Sequence, residues 1–277
     1  MKLTMLGTGH ALVQNCYNTC FVLHEEDQYF LVDGGGGNGI FRQLDNAGID
    51  WKNIKNIFVT HKHMDHITGV IWIIRVICEH MRLDQYDGQV KIYAHGELVQ
   101  TIKDICFMLL QPSETAFLDK RILFVELADG DEHEILNRRT TFFDIQSRKA
   151  KQFGFTMCLG QNNRLTCCGD EPYRPCELEY AWGSTWLMHE AFCLDSQADQ
   201  HQPYQHSHST VRSACQAAEF LGVKNLVLYH TEDDHLKNRK TLYTGEGSKY
   251  FGGKIYVPDD LEEIMLSSDT ISTLGQK

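Results

Sequence analysis

Val59-Thr60-His61-Lys62-His63-Met64-Asp65-His66 places four groups that can bind a metal within six residues, in the order His-x-His-x-Asp-His. The run that leads into it, residues 54–59, is mostly apolar and β-branched and reads as a buried strand. The cluster therefore sits where a strand ends and a loop begins. The strand fixes one end of the loop, and the loop folds several side chains onto one point. Imidazole nitrogens and a carboxylate suit zinc or another first-row divalent ion.

Outward from this stretch, the pattern predicts strands over 2–6, 16–23 and 28–32 before the motif. Gly7-Thr8-Gly9-His10 makes a tight turn after the first. The third ends in Asp33-Gly34-Gly35-Gly36-Gly37, a glycine loop pressed against a neighbour, with Asp33 placed either to start a turn or to hydrogen-bond the metal loop from behind. A short amphipathic helix covers 39–47. After the motif, helices are expected over 69–81, 96–110 and 210–221, and strands over 90–94, 121–126, 140–145, 153–159, 164–168, 186–188, 225–229 and 254–257. No linker, repeat or low-complexity tract interrupts the order, so residues 1–277 read as one domain.

Composition narrows the class. The chain has 277 residues, 42% of them hydrophobic, enough for a sizeable core. Its net charge of −11 argues against a protein that lives on nucleic-acid phosphates. The short basic stretches Arg138-Arg139 and Arg148-Lys149-Ala150-Lys151 read as solvated surface. Ten scattered cysteines without zinc-finger pairing read as reduced, mostly buried thiols, and with no signal peptide at the N-terminus they point to a cytoplasmic protein. No apolar run reaches the roughly 18 residues of a membrane span.

Two further strand ends carry ligand-type residues: Asp170 after 164–168, and His230 after 225–229. Three strands that end in metal-binding groups can bring them to one edge of a sheet, as a binuclear site requires. In this context the opening motif resembles the signature of the metallo-β-lactamase superfamily. The resemblance implies an α+β, four-layer αββα sandwich. It also implies His61 and His63 on one metal, Asp65, His66 and His230 on the other, and Asp170 bridging. Two divalent ions follow, Zn²⁺ first, with Mn²⁺ or Fe²⁺ as alternatives.

The second half of the chain resembles the RNase Z group within that superfamily. Trp186-Leu187-Met188-His189-Glu190-Ala191 is similar to its His-Glu-Ala-Thr element, with Phe192 in place of the threonine. His208-Ser209-Thr210 matches its His-Ser-Thr element, and Leu226 to Thr231 matches its next strand and histidine. The resemblance implies a phosphodiesterase that uses a hydroxide bridging two metals. His208 would be the proton donor to the leaving oxygen, Glu190 would orient an imidazole, and Asp65 would both ligate and hold the nucleophile. A lactonase or thioesterase of the same superfamily, or a non-catalytic metal-binding protein, is the alternative. Dimers in that group imply a homodimer here, although core packing accounts for the apolar 70–81 and 96–110 stretches equally well.

Two features depart from the pattern. The group places a histidine on the strand before its Gly-Tyr/Phe pair, here Gly154-Phe155, and this chain has none there. Asp144 is the better replacement ligand, ahead of Gln146 and of His133, which sits in a charged turn. The first metal is then less firmly held, or the site favours an oxygen-preferring ion such as Mn²⁺. In addition, the interval before Asp170 has no room for the long arm that clamps tRNA. With the acidic balance, this points to a small-molecule or other phosphodiester substrate and away from tRNA 3′ processing.

Overall fold

The computed structural model describes residues 1–267. Among them, one seven-stranded sheet contains β1 (Lys2–Gly7), β2 (Cys20–Glu25), β3 (Gln28–Val32), β4 (Ile54–Phe58), β5 (Val90–His95), β6 (Ile122–Leu127) and β14 (Glu263–Met265), in the order β14-β1-β2-β3-β4-β5-β6. The other contains β7 (Glu132–Ile135), β8 (Arg138–Asp144), β9 (Phe153–Gly160), β10 (Asn163–Cys167), β11 (Trp186–Glu190), β12 (Asn225–Tyr229) and β13 (Lys254–Tyr256), in the order β13-β12-β11-β10-β9-β8-β7. The longer helices are α1 (Gly39–Asn46), α2 (Met64–Arg82), α3 (Gly96–Leu109), α7 (Val211–Phe220) and α8 (Arg239–Gly247). Single turns α4 (Pro112–Thr115), α5 (Leu178–Ala181) and α6 (Ala198–His201) complete the set.

The layers follow from alternation along the strands. On β2, Phe21 and Leu23 face one way and Val22 the other. Val22, Leu31 and Ile57 pack against Ile73, Ile74 and Ile77 of α2. Phe21, Phe30, Phe58, Phe142 and Phe155 fill the space between the two sheets. Leu187, Leu226 and Leu228 of the second sheet pack against Val211, Ala214 and Ala218 of α7. The result is the four-layer αββα sandwich expected from the sequence.

Parallel pairing positions the site. Strands β3 to β6 run parallel, as do β10 to β13. Parallel neighbours need crossovers, so their carboxyl ends collect on one edge of each sheet, where ligands bind in such sheets. Asp33, the His61 motif, Asp170, Glu190 and His230 all lie at or just past such ends.

The structure corrects several expectations. Helix α2 begins at Met64, with His63 as its N-cap, so Asp65 and His66 stand on its first turn and not in a loop. An acidic residue in a helix's first turn is favoured by the helix dipole. Residues 16–19 are irregular because Tyr17 is bonded to Asp260 and its carbonyl receives the Thr8 and Gly9 amides. Strands β7 and β14 and helix α8 were not expected. Glu-His-Glu-Ile of β7 is a charged edge strand, β14 is three residues long, and α8 buries little apolar surface beyond Tyr243.

Candidate metal centre

The motif is held by the loop that precedes it. Asp33 adopts a left-handed backbone, φ 59°, at the end of β3. Its carboxylate accepts the Thr60 amide at 2.8 Å and the Thr60 hydroxyl at 2.7 Å, and it takes His66 Nδ1 at 2.7 Å. His66 Nε2 is thereby turned toward the cluster. Close packing fixes the start of α2. The Gly34 amide donates to the His66 carbonyl and the Gly69 amide to the Gly35 carbonyl, both at 2.9 Å. A Cβ on Gly69 would overlap the Gly34 carbonyl oxygen, so both backbones must be glycine for the loop to lie on the helix. The glycine run thus serves to seat the helix that carries Asp65 and His66.

The two sheets bring the remaining groups to this point. His61 Nε2 lies 3.6 Å from Asp170 Oδ2, and His66 Nε2 lies 3.7 Å from the same oxygen. Asp65 Oδ2 is 3.3 Å from His66 Nε2 and 3.4 Å from His230 Nε2. Asp170 Oδ1 is 2.9 Å from His230 Nδ1 and 3.9 Å from His208 Nδ1. Three overlapping triads result: His61–His66–Asp170, Asp65–His66–His230 and Asp170–His208–His230. Asp170 belongs to two of them, with one oxygen toward each side. His63 is outside the triads, but its Nδ1 lies 2.8 Å from His61 Nε2.

The donor set fits divalent ions. Arms of about 2.0–2.2 Å put neighbouring donors of a tetrahedral ion about 3.3–3.6 Å apart, close to most of these distances. More telling, His66 Nε2, Asp170 Oδ1, His208 Nδ1 and His230 Nδ1 are all buried without a hydrogen-bond partner, even though Asp170 Oδ1 and His230 Nδ1 are only 2.9 Å apart. Buried polar atoms are rarely left unpaired. Here these atoms converge on a shared space where a cation, displacing the imidazole protons, would satisfy them.

The charges within the cluster offset one another. Burial opposes the Asp65 charge, but His66 and His230 outweigh it and hold the carboxyl well below the usual carboxylate range. Asp170 is held low in the same way by His230 and His208 against its burial. Burial also works against a charge on His66, yet Asp65 and Asp33 keep its imidazole well above the ordinary value. His61 goes the other way: burial, helped by His66, drives it down and leaves a neutral imidazole.

The site opens into a cleft of about 590 Å³ that reaches His10, Lys149, Phe192 and His208. His208 lines this cleft. Its ring stacks on Phe192 with centroids 5.1 Å apart. Its Nδ1 lies 3.6 Å from Glu190 Oε2, and the other Glu190 oxygen accepts the Ser209 amide. Glu190 therefore lies beside the Nδ1 side of this imidazole. His189 points away, accepting the Tyr173 amide at 3.0 Å and donating Nδ1–H to the Glu190 carbonyl.

Other candidates are elsewhere. Asp144 is not brought to the cluster: its carboxylate caps the local turn by accepting the Gln146 amide at 2.7 Å. Gln146 is exposed with φ 53°, and His133 packs beside Tyr93, with ring centroids 5.4 Å apart. Sequence reading overlooked His10 and Lys149. The His10 ring lies against Phe192, centroids 4.3 Å apart, and burial, with His230 and His208, pushes its pKa down to about 4. Its place in a glycine turn after the first strand gave only a weak hint.

The family model described as Anti-Pycsar protein Apyc1 matches residues 1–246. Ribonuclease Z of Methanothermobacter thermautotrophicus is 26% identical, over 83% of this chain and 86% of its own. Among solved structures, the metallo-β-lactamase fold protein YhfI from Bacillus subtilis is 15% identical with a TM-score of 0.76, covering 95% of this chain and 98% of its own. Human tRNase Z, short form, is 20% identical with a TM-score of 0.72, covering 97% and 100%. At these identities the two structures establish the fold.

Proposed function

This chain belongs to the Anti-Pycsar protein Apyc1 family, and we propose that it is a metal-dependent hydrolase of RNase Z-like type that cleaves phosphodiesters. The observation that carries this reading is the convergence of buried, unpaired His66, Asp170 and His230 atoms beside a His208–Glu190 pair. His61, His63 and Asp170 would hold one divalent ion, and Asp65, His66, His230 and Asp170 a second. Imidazole-rich donors favour Zn²⁺, with Mn²⁺ or Fe²⁺ as alternatives. Bound there, such ions supply water of lowered pKa and a Lewis acid for a phosphoryl oxygen.

The chain's own residues do the rest. Asp65 Oδ2 lies 3.3 Å from His66 Nε2 and 3.4 Å from His230 Nε2, and in this reading it would orient the attacking water. His208 Nε2 faces the Lys149 ammonium in the cleft and Glu190 lies on the Nδ1 side; with an anionic substrate between Lys149 and the ring, a protonated Nε2 would supply the proton for the leaving oxygen. Phe192 covers one face of that ring and keeps bulk water from it. The interval from Asp144 to Asp170 is filled by a short loop, β9 and β10, which leaves no arm for tRNA. With a net charge of −11, this supports a small phosphodiester as the substrate. We also propose that residues 1–277 act as one domain. None of the described helices is long and apolar enough to cross a membrane.

Two results are expected. Burial lowers His230, but Asp170 overrides it and pushes its pKa up to about 9, so at pH 7 it carries a proton that metal must displace. Zn²⁺ added to metal-free protein in weak buffer at pH 7 should release protons, and affinity should fall as the pH is lowered. A titration without proton release would contradict this ligand set. Asp33→Ala removes the partner of His66 Nδ1 and should weaken metal affinity about 10–100-fold in chelator competition. Unchanged affinity would mean that Asp33 serves the fold alone.

A further inference from the structure

Lys149 reads as a surface lysine in the sequence, yet the fold turns it into the cleft. Its Nζ lies 3.2 Å from His208 Nε2, the atom that faces the substrate space. It is the one lysine or arginine lining that cleft among the described residues, and no ion pair there includes it. Its loop is built and not loose. The Ser147 hydroxyl accepts the Lys149 amide at 3.1 Å and the Ala150 amide at 3.2 Å, and donates to Glu171. Glu171 is fully buried next to Asp170, and its other oxygen takes Arg174 at 2.8 Å. Arg174 also donates to the Gln146 carbonyl. The loop that carries Lys149 is therefore tied to the residue beside the Asp170 carboxylate.

An ammonium held beside a cation-binding cluster is unfavourable until an anion comes between them. We propose that Lys149 anchors a non-bridging or leaving oxygen of the phosphoryl group, at the point where His208 Nε2 also converges. Lysine suits this as a compact point charge on a flexible stem. The inference rests on the phosphodiesterase reading and names one of its substrate contacts.

The test uses the full metal-loaded chain, with inorganic phosphate as the binding probe and bis(p-nitrophenyl) phosphate as the substrate. Lys149 is exposed, so K149A should fold and bind metal as the parent does. Loss of one charge-assisted contact should raise the phosphate Kd and the KM by about 10–100-fold, and K149R should recover part of that loss. Unchanged Kd and KM in a chain that cleaves the phosphodiester would overturn the Lys149 role alone. Reduced metal content in K149A would overturn it too, by making Lys149 a support of the metal centre. A parent chain that cleaves nothing, while its phosphate Kd still depends on Lys149, would overturn the phosphodiesterase reading and leave the anion contact standing.

Discussion

Asp170→Asn is expected to reduce phosphodiester turnover by about 10³-fold or more and to lower metal content with it. Asp170 directs one oxygen at His61 and His66 and the other at His230 and His208. An amide of the same shape keeps one acceptor and replaces the other with a donor. That donor meets the space where a cation is expected, and the negative charge shared by both sides is gone. A Lewis acid contributes several kcal/mol to a transition state that gains charge, and about 1.4 kcal/mol is tenfold in rate. Element analysis of dialysed protein and a turnover assay check both parts. Full metal content with full activity would remove Asp170 from the centre.

His208→Ala separates proton transfer from metal binding. Loss of a positioned general acid costs about 10²–10⁴-fold in turnover. Metal content should stay at the parent level, because His208 Nδ1 is farther from Asp170 than His230 Nδ1 is, 3.9 against 2.9 Å. Glu190→Gln should cost less, since the amide still holds the ring in place. The triad of Asp170, His208 and His230 also permits a ligand role for His208. Loss of metal together with activity in His208→Ala would assign it that role.

Much of the fold and of the metal cluster is legible in the sequence for physical reasons. Residues 54–59 are mostly apolar and β-branched, and three histidines and an aspartate directly after such a run have few other uses. Asp170 and His230 were readable because each follows a strand, and parallel strands end on a common edge. Asp33 was readable as one of two alternatives, and its bonds to Thr60 and His66 decide between them. What remained hidden depends on contacts between distant segments. Whether Asp65 lies in a loop or a helix is settled by the seating of Gly34 on Gly69, which no local pattern reveals. Alternation puts Asp144 and Gln146 on one face and the anionic oxygen makes Asp144 the better ligand, but no local pattern shows that this carboxylate turns to the Gln146 amide. The structure instead sends the following loop through Ser147 and Glu171 and delivers Lys149 to the cleft. A short basic run carries no sign of which member faces inward. Helix α8 and strands β7 and β14 were missed because polar, glycine-containing or three-residue elements bury too little to leave a period.

The most direct test is hydrolysis of bis(p-nitrophenyl) phosphate by the chelator-treated protein, before and after Zn²⁺ or Mn²⁺ is added, with a lactone and a thioester run in parallel. The stripped protein should cleave nothing, and once metal is restored it should cleave the phosphodiester in preference to the other two substrates. Cleavage that survives metal removal, or a metal-loaded protein that leaves the phosphodiester intact while opening the lactone or the thioester, would contradict it.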